Sequence, residues 1–112
     1  MFPKKNRLSN REFDHVFRHG DFLGSKSFYL RFLKGKEMQF AVSAPKKIFK
    51  KSVERNRVRR RAYAFLRMAK KELKSQQNII LVAKENFISD NMESLLLEIT
   101  KCLRKIDSES FA

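Results

Sequence analysis

Hydrophobic positions along the chain change period several times, and each change marks an element. Ser9 followed by Glu12 has the pattern of a capping box, with Leu8 and Phe13 placed as the flanking staple. Phe13, Val16 and Phe17 then share one face, and Gly20 stands where a helix would close. The pattern predicts a helix over residues 9–19. A short strand is allowed around residues 21–24. Residues 27–33 alternate, with Phe28, Leu30 and Phe32 against Tyr29, Arg31 and Leu33. Residues 38–44 alternate again, with Met38, Phe40, Val42 and Ala44 against Gln39, Ala41 and Ser43. Lys34-Gly35-Lys36 lies between the two runs, and together they predict an antiparallel hairpin that ends at Pro45. Its first face reads as core, while Tyr29, Arg31, Gln39 and Ser43 are left for solvent or a ligand.

Between residues 52 and 74 there is neither Gly nor Pro. Val58, Ala62, Phe65, Leu66, Ala69 and Leu73 fall in one arc of roughly 100° at helical pitch, predicting a long amphipathic helix. Residues 79–83 are an unbroken apolar run, the signature of a strand buried on both faces. Asp90 with Glu93 predicts the cap of a last helix. Met92, Leu95, Leu96, Ile99, Leu103 and Ile106 form its apolar side, and Lys101, Arg104 and Lys105 suit its C-terminal end. Cys102, beside that stripe, reads as a small core residue. The order is helix, two strands (a third allowed), helix, strand, helix, an α+β pattern in one domain over residues 1–112.

Composition narrows the possibilities. The 112 residues are 42% hydrophobic with eleven Phe, enough for one modest core and unlike a disordered tail. Lys and Arg number 26 against 12 Asp and Glu, a net charge of +14. Self-repulsion makes that excess a cost to compactness, so it points outward, to a polyanion. No stretch approaches the ~18 apolar residues of a membrane span, and the basic N-terminus lacks an apolar run and a cleavage site. A single cysteine rules out an internal disulfide or a cysteine metal cluster. His15 and His19 lie four apart on the first helix without a third ligand at metal spacing. A cytoplasmic location is the expectation.

The charge is concentrated. Residues 46–61 hold Lys46, Lys47, Lys50, Lys51, Arg55, Arg57, Arg59, Arg60 and Arg61 against one acid, Glu54. The run starts in the loop after Pro45 and continues into the long helix, whose N-terminal end ordinarily favours acids. One acid cannot supply the i,i+4 pairs of a solvated charged face. A positive helix end crowded with planar guanidinium groups suits phosphate oxygens instead. Arg60 and Arg67 face away from the core stripe, Arg57 and Arg61 share a neighbouring face, and Arg55 and Arg59 lie near the stripe's edge. Asn56 sits between the arginine faces and can donate and accept. Lys4, Lys5, Arg7 and Arg11 form a basic N-terminal arm, either a backbone tracker or a solvated tail. Phe13 and Phe17 are either core residues or, beside an open sheet face, platforms for base stacking.

Lys46-Lys47 at a strand end, followed by Arg55-Asn56 and Arg59-Arg60 on a long helix, resembles the signature of the bacterial ribonuclease P protein component. Arg7-Leu8 leading into a helix with Phe13, Phe17, His19 and Gly20, and strands at Phe28, Val42 and residues 79–83, extend the resemblance over about residues 5–106. The chain departs from the pattern at Lys50, where similar sequences carry Gly, and at Tyr63, where they carry a further Arg. The resemblance implies a compact two-layer α/β sandwich with a small mixed sheet and a left-handed βαβ crossover, against the usual right-handed rule.

It implies binding to a catalytic RNA that cuts the 5′ leader from precursor tRNA by hydrolysis and itself holds the Mg²⁺. Arg55, Asn56, Arg57, Arg59 and Arg60 match the RNA-contact motif, with Lys46, Lys47, Lys50, Lys51, Arg61 and Arg67 as further RNA-binding candidates. Phe13, Phe17, Tyr29 and Arg31 are candidates for a cleft that holds the single-stranded leader. No catalytic residue and no metal ligand is assigned to the protein, since paired carboxylates with a nearby base are lacking where the positive charge lies. Neither a membrane nor DNA is expected as partner. The long basic helix follows a strand rather than a partner helix, unlike a helix-turn-helix, and its apolar face has a sheet to cover, unlike an interfacial helix. The nearest alternative is a ribosomal or ribosome-associated RNA-binding protein.

Overall fold

A computed structural model describes residues 6–110. The elements are α1 (Asn10–His19), β1 (Asp21–Gly24), β2 (Phe28–Lys34), β3 (Gln39–Ser43), α2 (Ser52–Ala69), β4 (Gln77–Ala83) and α3 (Met92–Ser110). Lys4 and Lys5 of the basic arm lie outside the described residues.

The capping box of α1 forms as the sequence predicts: the Glu12 amide donates to Ser9 Oγ at 3.2 Å, and Glu12 Oε1 accepts from the Ser9 amide at 3.4 Å. Gly20 closes the helix with an extended backbone, its amide donating to Val16 O. The glycine is required by closeness: a Cβ there would lie 2.5 Å from Val16 O and 2.8 Å from Phe32 O.

The four strands are ordered β1-β2-β4-β3. β2 runs antiparallel to β1 and to β4, whereas β3 runs parallel to β4. The predicted hairpin of residues 27–33 and 38–44 is therefore corrected: both runs are strands, but β4 separates them. The reason lies in β4, every residue of which is buried. An apolar strand of that kind needs a neighbour on each edge as well as cover on each face, and only the centre of the sheet offers both. β3 then reaches β4 through α2, giving a parallel βαβ unit. Outside β3, Arg7 adds an isolated parallel bridge to Phe40.

The larger core lies on one face of the sheet. Phe28, Leu30, Phe32, Phe40, Val42, Ile79 and Leu81 meet Val58, Ala62, Phe65, Leu66 and Ala69 of α2 and Leu95, Ile99, Leu103 and Ile106 of α3. These are the predicted stripes. The long helix ends at Ala69 and tightens into a 3₁₀ turn at Lys70–Glu72, which still delivers Leu73 to the core. On the opposite face α1 lays Val16 on Ala41, Ile80 and Val82, with Phe13, Tyr29 and Leu33 packed around them.

The last helix departs from expectation at both ends. Its cap is Asn91, whose Oδ1 accepts from the Ser94 amide at 3.0 Å. Asp90 turns instead to Ser27 Oγ, binding the β1–β2 loop. Met92 is exposed rather than part of the stripe. Because α3 continues to Ser110, Lys101, Arg104 and Lys105 precede its last turn, and Arg104 pairs with Glu72. Cys102 is buried as predicted, and burial first, then Glu98, pushes its thiol up to about 11.

Candidate nucleic-acid interface

The basic segment is built on a turn. Pro45 O accepts from the Ile48 and Phe49 amides at 3.1 and 2.9 Å, and Phe49 is buried in the core. That anchor leaves Lys46, Lys47, Lys50 and Lys51 exposed around it. Lys50 takes the place of the expected glycine without strain, since no non-glycine residue among those described has positive φ.

The only acid of the segment is spent locally: Glu54 Oε1 accepts from the Lys51 amide at 3.2 Å at the start of α2. An ion pair joins Arg104 to Glu72, and among the described residues no carboxylate lies within 4 Å of the arginines of α2. Arg57, Asn56, Arg59, Arg60 and Arg67 are exposed along the helix. Arg59 Nη1 lies 3.5 Å from Asn56 Oδ1. Val53, Asn56, Arg59 and Arg60 line a shallow groove of about 430 Å³. Arg57, Arg60, Arg61, Ala64, Phe65 and Met92 line another of about 350 Å³. Arg60 borders both grooves.

Two arginines differ from their neighbours. Arg55 is half-buried, and its Nη1 donates to Phe49 O and Lys50 O, both at 2.9 Å. Arg61 Nη1 donates to Ile88 O in the loop before α3. Both guanidinium groups fasten loops to α2, a placement that helical geometry alone did not foretell. Tyr63, in place of the expected extra cation, is part of the α2–β3 packing. Burial raises its phenol, while a hydrogen bond with the Val42 backbone acts in the other direction.

The second constellation lies under α1. In sheet register, Arg31 is opposite Phe22 on β1 and Ile80 on β4, and Tyr29 is opposite Gly24 and Val82. Phe13 and Phe17 stack edge-on at 5.8 Å between centroids. Arg31 places its guanidinium 5.6 Å from the centre of the Phe17 ring. Phe13, Tyr29 and Arg31 are half-buried, while Phe17 is 38% exposed. The four candidates are thus brought together as a wall of rings and one cation. Phe22 belongs with them and was missed: its ring lies 5.2 Å from that of Tyr29 and it is 60% exposed. A four-residue strand is too short for alternation to phase it, and Phe22 is identifiable only from its register with Arg31.

His15 and His19 stand 5.0 Å apart, ring to ring. Among the described residues no group of three or more His, Cys, Asp or Glu is placed to hold a metal ion. Among the same residues no helix is long and apolar enough to cross a membrane.

The family model described as Ribonuclease P matches residues 2–107. A ribonuclease P protein component from Rippkaea orientalis (strain PCC 8801 / RF-1) is 31% identical over 111 residues, covering 92% of this chain and 87% of the relative. The ribonuclease P protein of Thermotoga maritima superposes with a TM-score of 0.77 at 21% identity, over 88% of this chain and 96% of that one. That of Staphylococcus aureus superposes with a TM-score of 0.73 at 18% identity, over 90% and 94%.

Proposed function

The chain belongs to the ribonuclease P protein family, and from that premise we propose how its surfaces divide the work of the enzyme. As a member it is the protein component of a ribonucleoprotein endoribonuclease that matures the 5′ end of tRNA. In our reading the catalytic RNA lies along α2, against Arg57, Arg59, Arg60 and Arg67, with Asn56 and the lysines of the Pro45 turn beside them. Arg55 and Arg61 serve that surface indirectly, by holding its loops in place. The single-stranded leader of precursor tRNA lies on the opposite face of the sheet, its bases against Phe17, Phe22 and Tyr29. Lys46 and Lys47 follow the C-terminal end of β3 and border both surfaces. The hydrolytic chemistry and its Mg²⁺ belong to the RNA, and the complex works in the cytoplasm.

The observation that carries this reading is the pairing of an arginine helix without acid partners on one face with exposed rings on the other. Counter-ions released from RNA phosphates favour the first contact, and stacking that tolerates any base suits a leader of varied sequence. The protein's contribution is positional and electrostatic: it offsets phosphate repulsion so that substrate and RNA-held metal meet at lower Mg²⁺. Cleavage of precursor tRNA by a ribonuclease P RNA at low Mg²⁺, with and without the chain, tests this. Strong stimulation is expected; equal rates with folded protein would refute it.

A further inference from the structure

Met92 stands three residues before Leu95 and four before Leu96, at the spacing of the apolar stripe of α3. Leu95 is buried and Leu96 packs against the core, yet Met92 is 54% exposed. It lines instead the groove of about 350 Å³ that it shares with Arg57, Arg60, Arg61, Ala64 and Phe65 of α2. A single exposed apolar side chain is ordinary on a protein surface. One held across from a wall of arginines is not.

The fold fixes that position from two sides. Arg61 Nη1 donates to Ile88 O, four residues before Met92, and Ile88 packs against the core. Asn91 Oδ1 accepts from the Ser94 amide at 3.0 Å, which sets the first turn of α3 with Met92 in it. The loop before α3 and the helix start are thus both tied down, and the groove between α2 and Met92 keeps its shape.

The walls describe the occupant. Ala64, Phe65 and Met92 supply an apolar surface without a strong hydrogen-bond donor or acceptor. Arg57 and Arg60 are exposed beside it, and among the described residues no carboxylate lies within 4 Å of them. Glu93, next to Met92 in sequence, takes no part in the lining. A bare anion would use the arginines and leave the apolar part wet. An apolar segment would leave the guanidinium groups unpaired. A flat base with a phosphate on either side uses both. The thioether of methionine is flexible and polarizable, so it can lie against the face of any base, and arginine planes stack on bases as well.

We propose that this groove takes one unpaired base of the catalytic RNA, which lies against Met92 while Arg57 and Arg60 bind the flanking phosphates. The proposal deepens the reading of α2 as the face for that RNA and rests on it. It adds a contact from α3, outside the basic run of residues 46–61. With an apolar floor the groove selects an unpaired position rather than a particular base.

The test is the affinity of the full chain for ribonuclease P RNA over a salt series. Met92→Ala should weaken binding about fivefold, the low end for loss of a stacking surface, and leave the salt slope unchanged because no counter-ion is involved. Arg57→Ala should lower the slope by about one. Leu97→Ala, equally exposed on the same helix but outside the groove, should bind like the parent. Thermal melts confirm the fold of each variant. A short photo-crosslinker attached to Met92→Cys gives a second reading, since Cys102 is buried and the label goes to the new thiol. It should join an unpaired nucleotide of the RNA subunit. Parent-like affinity of Met92→Ala, an altered slope, or a crosslink only to duplex RNA or to precursor tRNA would overturn the proposal. Failure of the parent chain to bind the RNA subunit would refute the reading of α2 as well, whereas tight parent binding that Met92→Ala leaves unchanged would refute the groove alone.

Discussion

Arg31 binds α1 to the sheet through Phe17 twice over: its Nη2 donates to Phe17 O at 2.6 Å, and its guanidinium lies 5.6 Å from the centre of the Phe17 ring. The Phe17 carbonyl is one of the last in the helix and lacks an intrahelical partner, so the arginine also acts as a C-terminal cap. The residue expected as a free cation of the leader cleft is thus first a fastener. Its charge still lies beside the exposed ring.

Arg31→Ala should therefore affect stability and binding together. Removing one charged hydrogen bond and the ring contact costs about 1–2 kcal/mol of unfolding free energy. Preference for leader-bearing precursor over mature tRNA should fall with it, because Phe17 loses its support. Arg31→Lys, which can cap but not cover the ring, should recover most of the stability and less of the preference. Urea unfolding and a binding competition separate the two effects.

Phe22→Ala should behave differently. The ring is 60% exposed and lies beside Tyr29 and Gly24, so stability should change by less than about 0.5 kcal/mol. Loss of one stacking surface should weaken the leader by about 1–3 kcal/mol. Affinity for the RNA subunit should stay the same. If precursor affinity is also unchanged, Phe22 is not a leader contact.

On α2 the arginines should divide into two groups. Arg60→Ala should lower the slope of log affinity against log salt for the RNA subunit by about one, with the fold unaffected. Arg55→Ala should instead destabilise the Pro45 turn and the start of α2, since two carbonyl oxygens lose their donor; about 1–2 kcal/mol is expected. Salt titrations alongside thermal melts distinguish the two. An unchanged slope for Arg60→Ala would remove it from the phosphate contacts.

Acid should loosen the joint between α2 and β4. Asp107 on α3 accepts from the Lys74 and Ser75 amides at 3.0 and 2.6 Å. Partial burial pushes its carboxyl up, but the hydrogen bonds from Ser75 and Lys74 outweigh it and leave the group below its ordinary 3.8. A carboxyl whose folded value is depressed contributes stability that is complete above the unfolded value and is lost as pH falls through the folded one. Asp107→Asn should therefore be less stable than the parent at neutral pH, with the gap closing below about pH 4. Melting temperatures over a pH series check the convergence.

Much of this was legible in the sequence because it depends on period and charge. The core stripes of α2 and α3, the capping box at Ser9 and the doubly buried strand all follow from spacing. Alternation fixed which residues of β2 and β3 face the core, but it says nothing about which strand lies beside which. The pairing was decided by the need of β4 for two edges, a constraint that acts across the whole sheet. Arg55 and Arg61 were readable as cations but not as loop clamps, since their carbonyl partners belong to segments without regular structure. Asp90 was drawn from the expected cap by Ser27, more than sixty residues away in sequence, a contact no local pattern contains. Phe22 escaped for the same reason: it acquires its meaning from the strand beside it.

The central claim is that one face of this protein distinguishes leader from no leader. The most direct test is competition between precursor and mature tRNA for ribonuclease P RNA, alone, with the chain, and with the chain carrying Phe17→Ala and Phe22→Ala together. The chain should create a preference for the precursor that grows with leader length up to the span of the cleft. The double variant should lose that preference while still binding the RNA. A preference unchanged by the double variant, with the variant shown to be folded, would contradict the account.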